Sequence, residues 1–142
     1  MPGYHQDFYT WTQEQAALLK AGRLSELDVP NLIEEVFSMG AKDKSSLRSY
    51  IRILLMHLLK YKYQPEYRSR SWQSTINYCR DDIVDLITDS PSLRTYIDEM
   101  MQISYKRAVN KAADETGIFK ENFPTECPWT FDQITNDEFF PD

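Results

Sequence analysis

The sequence predicts an all-α fold: a single-domain bundle of about five main helices over residues 1–142, with a central buried helix and an extended aromatic tail packed across it. Three observations carry this reading. Apolar residues recur at 4-3-4-3 spacing, glycine is scarce at four residues, and β-branched residues nowhere alternate with polar ones over a useful length. The composition, 42% apolar, 27% charged and 13% aromatic, is that of a folded chain, and 142 residues are enough to bury a core without staples.

The first helix is expected over 7–21, with Asp7 as N-cap, Gly22 as terminator, and Phe8, Trp11, Leu18 and Leu19 as its apolar edge. A short segment, 24–27, leads to Asp28, a second N-cap, with Pro30 tolerated in the first turn. The second helix, 28–40, carries Val29, Leu32, Val36 and Met39 in one stripe flanked by Ile33 and Phe37, and Gly40 ends or bends it. The third, 44–63, repeats Leu47, Ile51, Leu54, Leu58 and Tyr61 on one face. Ile53, Leu55, Met56 and Leu59 occupy its other faces, which places this helix at the centre of the bundle. Pro65 stops it, because the residue before a proline leaves helical geometry.

The fourth helix, 71–88, aligns Trp72, Ile76, Cys79, Ile83 and Leu86. Ser90 and Pro91 read as N-cap and first helical residue of a fifth helix to 116, with Leu93, Ile97, Met101, Tyr105, Ala108 and Ala112 as its stripe and Gly117 closing it. Residues 118–142 contain three prolines and read as extended. Phe119, Phe123, Trp129, Phe131, Ile134, Phe139 and Phe140 are too apolar to stay in water, so this tail is expected to wrap the bundle, with a short helix near 131–135.

Composition also excludes. The longest apolar run is Ile53-Leu54-Leu55-Met56, far from the ~20 residues of a membrane span. The start, MPGYHQDFYTW, has neither a basic lead nor an apolar stretch of the kind a signal peptide carries. Cys79 and Cys127 lie far apart without a CxxC partner, which suits a reducing cytoplasm. The net charge of −6 hides an asymmetry: residues 42–80 hold nine Lys/Arg against two acids, while the rest holds seven cations and twenty acids. Such segregation marks either a binding face or basic helices packed beside acidic ones.

The basic segment ends in HLLKYKYQPEYRSRSW, where Lys60, Lys62, Arg68 and Arg70 surround a proline turn and Tyr61, Tyr67 and Trp72 are interleaved. Cations among aromatics can clamp phosphates and stack bases. The acidic chain, with pI near 4.9, argues against nucleic acid, and Lys60 and Lys62 also suit the last turn of a helix. His57 falls at the flank of the buried stripe, where a packed histidine bonded to a carbonyl or carboxylate is expected. Glu34 and Glu35 point about 100° apart on a helix. Glu35 is the nearer to the stripe and would approach His57 or Arg52 if the second and third helices packed antiparallel. Neither HExxH nor the Glu-x-x-His pairs of di-iron bundles are present, so no metal, cofactor or catalytic residue is assigned.

The stretches DFYTW, LLKAGR, LDVPNLIEEVFSMG, HLLKYKYQPEYRSRSW, SPSL, ETG and the tail's FP, ECPWTFDQI and EFFP follow one another in an order that resembles domain-of-unknown-function family twenty-nine, common in cyanobacteria. Met39 and the pair Tyr78-Cys79 depart from the family's usual leucine and Gln-Arg. The resemblance implies an all-helical bacterial protein without an assigned activity, and distinctive positions at Glu34, Glu35, His57, Gln64, Pro65, Arg68, Ser71 and Trp72.

Three functions are therefore expected, in order. The first is a non-enzymatic, cytoplasmic interaction module that contacts an acidic protein partner or itself as a homo-oligomer, through its basic face or aromatic tail. The second is a small-ligand or metal site around Glu35, His57, Gln64 and Arg68. The third is nucleic-acid binding through Lys60, Lys62, Arg68 and Arg70. The ligand or partner candidates are Glu35, His57, Gln64, Arg68, Arg70 and Trp72.

Overall fold

The computed structural model describes residues 3–142; Met1 and Pro2, where the stretch read for a leader begins, lie outside the described residues. The fold is all-α, and among the described residues there is no strand. Two compact units divide the chain, Met1–Lys42 and Asp43–Asp142.

In the first unit, helix α1 runs Phe8–Lys20. Asp7 caps it as expected, accepting the N–H of Thr10 at 3.0 Å and its hydroxyl at 2.8 Å. Gly22 takes a left-handed φ of +73°, which lets the Arg23 N–H close back on the Leu18 carbonyl at 2.9 Å and end the helix. A 3-10 turn, Leu24–Glu26, delivers the chain to Asp28. Polar bonds then lace the hairpin. The Asp28 N–H donates to buried Gln15 at 2.8 Å, and the Asp28 carboxylate accepts from the Trp11 indole at 2.9 Å and from the Asn31 amide at 2.8 Å. The Tyr4 hydroxyl donates to Glu35.

Helix α2 runs unbroken from Val29 to Tyr63, so the second and third helices expected from the sequence are one. Gly40 neither ends nor caps it. A glycine inside a helix costs only about 1 kcal/mol, and no proline follows before Pro65 to turn that weakness into a stop. Among the described residues, four long α-helices and one short one result. The apolar stripe predicted at Val29–Met39 is left open: Val36, Phe37 and Met39 are 66%, 73% and 68% exposed.

The second unit is built on the C-terminal part of α2. Leu47, Ile51, Leu54, Leu55, Leu58 and Leu59 are all fully buried, each worth roughly 1.5–3 kcal/mol of transfer free energy. Around them lie helices α3, Arg70–Asp89, and α4, Ile97–Thr116. Helix α3 contributes Ile76, Cys79, Ile83 and Ile87, and α4 contributes Met100, Tyr105, Ala108 and Ala112. Ser90 does not cap the helix expected from 91. Pro91–Tyr96 winds instead as a 3-10 helix, in which the Thr95 hydroxyl bonds the Ser92 carbonyl and competes with the α pattern. Gly117, with φ +75°, closes α4.

Most of the tail packs as predicted, but Phe119 does not: at the start of the tail it is 78% exposed. Phe123, Trp129 and Ile134 are buried, and helix α5, Phe131–Thr135, starts at a reciprocal cap between Thr130 and Gln133. Its anchor is Arg80, the one fully buried cation among the described residues. The guanidinium donates to the carbonyls of Ile134 at 2.7 Å, Asp137 at 3.4 Å and Phe139 at 2.5 Å, and lies 5.2 Å from the Phe140 ring centre. Asp137 and Phe139 lie in irregular chain and Ile134 in the last turn of α5, where carbonyls lack intrahelical partners, so an arginine fork supplies the donors.

Two substitutions test this account. Arg80→Ala is expected to cost about 3 kcal/mol or more in urea unfolding and to expose residues 118–142 to limited proteolysis, because buried acceptors lose a charged donor. Gly40→Ala is expected to raise stability by about 0.5–1 kcal/mol, since an added Cβ meets nothing within 4 Å.

Candidate functional site

Where α2 ends, a 3-10 turn at Pro65–Tyr67 reverses the chain into α3, whose N-cap Ser69 accepts the Trp72 N–H at 3.2 Å. This turn gathers most of the residues singled out in the sequence. Lys60, in the last turn of α2, lies 4.8 Å from the Trp72 ring centre and 3.6 Å from the Glu115 carboxylate on α4. Arg68 donates from Nε to the Tyr61 carbonyl at 2.7 Å and from Nη2 to the Pro141 carbonyl at 3.3 Å, with its guanidinium 4.1 Å from the Tyr61 ring centre. Gln64 reaches the Thr116 carbonyl at 3.4 Å. Arg70 opens α3 and is exposed.

His57 is half-buried on α2, and its Nδ1 lies 2.9 Å from the Ile53 carbonyl. That carbonyl can only accept, so the neutral ring carries its proton on Nδ1. Burial holds its pKa below the ordinary histidine value, Lys60 adds to the effect, and the Ile53 carbonyl and Glu115 oppose it. Glu35 belongs to the other unit, twenty-two positions before His57 on the same helix. The turn that would have folded the second helix back on the third is absent, because α2 is continuous. Glu35 instead accepts from Tyr4.

Chemically, this cluster holds chain ends together. Its arginine and glutamine donors go to backbone carbonyls at the ends of α2, α4 and the tail, where helix geometry leaves acceptors unpaired. Among the described residues every buried side-chain nitrogen and oxygen has a partner, and no group of three or more His, Cys, Asp or Glu could hold a metal ion. The thiols are not activated: burial pushes Cys79 up to about 11, and burial also raises Cys127, whose Sγ–H donates to the Trp129 carbonyl at 3.3 Å. Two side chains with structural roles escaped sequence reasoning. Arg80 was hidden by the Cys79 stripe, although it stands in phase with Ile76, Ile83 and Ile87, a charge inside a buried period. Asp28 was read as a cap, whereas it also receives the Trp11 indole.

The family model described as "Domain of unknown function DUF29" matches residues 4–140, nearly the whole chain, and the chain belongs to that family. No curated protein and no solved structure matches it. Among the described residues no helix is long and apolar enough to cross a membrane.

The depressed His57 pKa gives a signed pH dependence. The folded state favours the neutral ring, so its contribution to stability is full above the unfolded histidine value near 6.5 and is lost as pH falls through the lower folded value. Urea midpoints are therefore expected to fall between about pH 7 and 5, and His57→Gln is expected to flatten that slope.

Proposed function

We propose that this DUF29 chain is a non-enzymatic interaction module that associates with a second copy of itself through the open apolar face of its N-terminal unit. The observation that carries the reading is the groove lined by Leu27, Val29, Leu32, Ile33, Val36 and Phe37, all apolar and about 470 Å³ in volume. Contiguous apolar surface of this kind marks an interaction site. Of the two surfaces expected from the sequence, the basic face and the aromatic tail, the tail has Phe123 and Trp129 buried in the second unit.

Charge along α2 supports a second copy as the occupant. The helix carries Glu34 and Glu35 in its N-terminal part and Lys42, Lys44, Arg48 and Arg52 further on. Two copies of α2 crossing antiparallel near Phe37–Gly40 set the acidic turn at Glu34–Glu35 of each alongside the basic stretch that begins at Lys42 of the other, while Val36 and Phe37 meet at the centre. Opposite charges at the rim set the register, and the apolar centre supplies the affinity.

Sedimentation between about 5 and 100 µM tests this. The wild-type chain is expected to run as a dimer, and Val36→Asp with Phe37→Ser is expected to weaken it about 100-fold or more without loss of helicity, since both side chains leave a buried contact. A wild-type chain that stays monomeric throughout that range, with the same profile as the variant, ends the proposal.

A further inference from the structure

Helices α2 and α4 of the second unit leave between them a cleft of about 430 Å³ that belongs neither to the polar cluster nor to the apolar groove. Three cations line it, Arg52 from α2 and Arg107 and Lys111 from α4, against a single carboxylate, Asp114. Arg107 and Lys111 stand four positions apart on one helix face, a like-charge pair that opposes folding unless something neutralises it. The ion pairs found among the described residues are Arg23–Glu26 and Lys60–Glu115, so none of these three cations lies within 4 Å of a carboxylate there. In a chain with 22 acids against 16 cations, three convergent cations without a carboxylate partner are an unspent charge.

The rest of the lining narrows the ligand. Ile53 and buried Met56 form an apolar wall, which thins the water around the cations and strengthens their field. The volume falls in the range of small-molecule sites and far exceeds one phosphate group. Asn110 adds an amide that both donates and accepts.

We infer that this cleft binds a small phosphomonoester, its phosphate held by Arg52, Arg107 and Lys111 and its organic part laid against Ile53 and Met56. Guanidinium groups match phosphate oxygens in pairs, and the lysine adds a point charge. Asp114 works against the bound charge and limits affinity. This site uses none of the residues of the proposed self-association face, and stands or falls separately from it.

Titration calorimetry with phenyl phosphate and with inorganic phosphate tests the assignment. Phenyl phosphate is expected to bind more tightly than inorganic phosphate, because only the ester covers Ile53 and Met56. Arg107→Gln and Lys111→Gln, both at exposed positions, are each expected to weaken it about tenfold or more, the loss of a hydrogen bond to a charged group. Asp114→Asn is expected to tighten binding about threefold by removing a repulsive charge, and Lys120→Gln, outside the cleft lining, to leave it unchanged. No heat with phenyl phosphate at 0.1 M salt and about 10 mM ligand overturns the inference. So does equal weakening by Lys120→Gln, which means diffuse surface charge, and so does tight binding of a single-stranded oligonucleotide by a protein that ignores phenyl phosphate, which means a nucleic-acid surface.

Discussion

A helix with apolar side chains on every face cannot be satisfied by one neighbour. Between Leu47 and Leu59, α2 places six fully buried leucine and isoleucine side chains around its circumference, so it has to be covered on all sides. Helices α3 and α4 account for two directions, and the tail, through Phe123, Trp129 and Ile134, joins the same core. The rest of the second unit follows from that need. The tail is held against the bundle although its backbone is irregular, and the turn at Pro65–Tyr67 must bring α3 straight back along α2.

Covering a helix with irregular chain raises a second problem, because the carbonyls of such a chain have no ladder to join. Two arginines solve it here: Arg80 takes the carbonyls of Ile134, Asp137 and Phe139, and Arg68 takes that of Pro141. Lys60 lies between Trp72 and Glu115, and Lys44 sits 3.7 Å from the Tyr96 ring centre. Much of the positive charge that the sequence concentrates in 42–80 thus has an internal partner. Arg52 is different: it faces a cleft shared with two further cations from α4. Two of the nine cations in 42–80, Arg68 and Arg80, anchor the tail, while Lys42, Lys62 and Arg70 remain exposed.

The first unit reverses the usual layout of a helical hairpin. Its inner contacts include polar bonds, Trp11 and Gln15 to Asp28 and Tyr4 to Glu35, while Val36, Phe37 and Met39 face outward. A short hairpin held in this way keeps its shape without using its apolar stripe, which leaves the stripe available for association.

Helix class, most element ends and the central position of Leu47–Leu59 were legible in the sequence, because each depends on spacing or on a local residue type: 4-3-4-3 periodicity, Asp7 at an N-cap, Gly22 and Gly117 at positive φ. The polar character of His57–Trp72 was legible too, since it is a run of adjacent residues. Tertiary structure alone decided whether Gly40 breaks α2, because a single glycine is nearly neutral and what surrounds the helix chooses. It also decided that Glu35 pairs with Tyr4, that the Val29–Met39 stripe is open while an equally apolar stripe in α3 is closed, and that Arg80 lies inside. Periodicity says that a side chain points one way around a helix; only the packing of distant segments says whether water, a leucine or a carbonyl oxygen is waiting there.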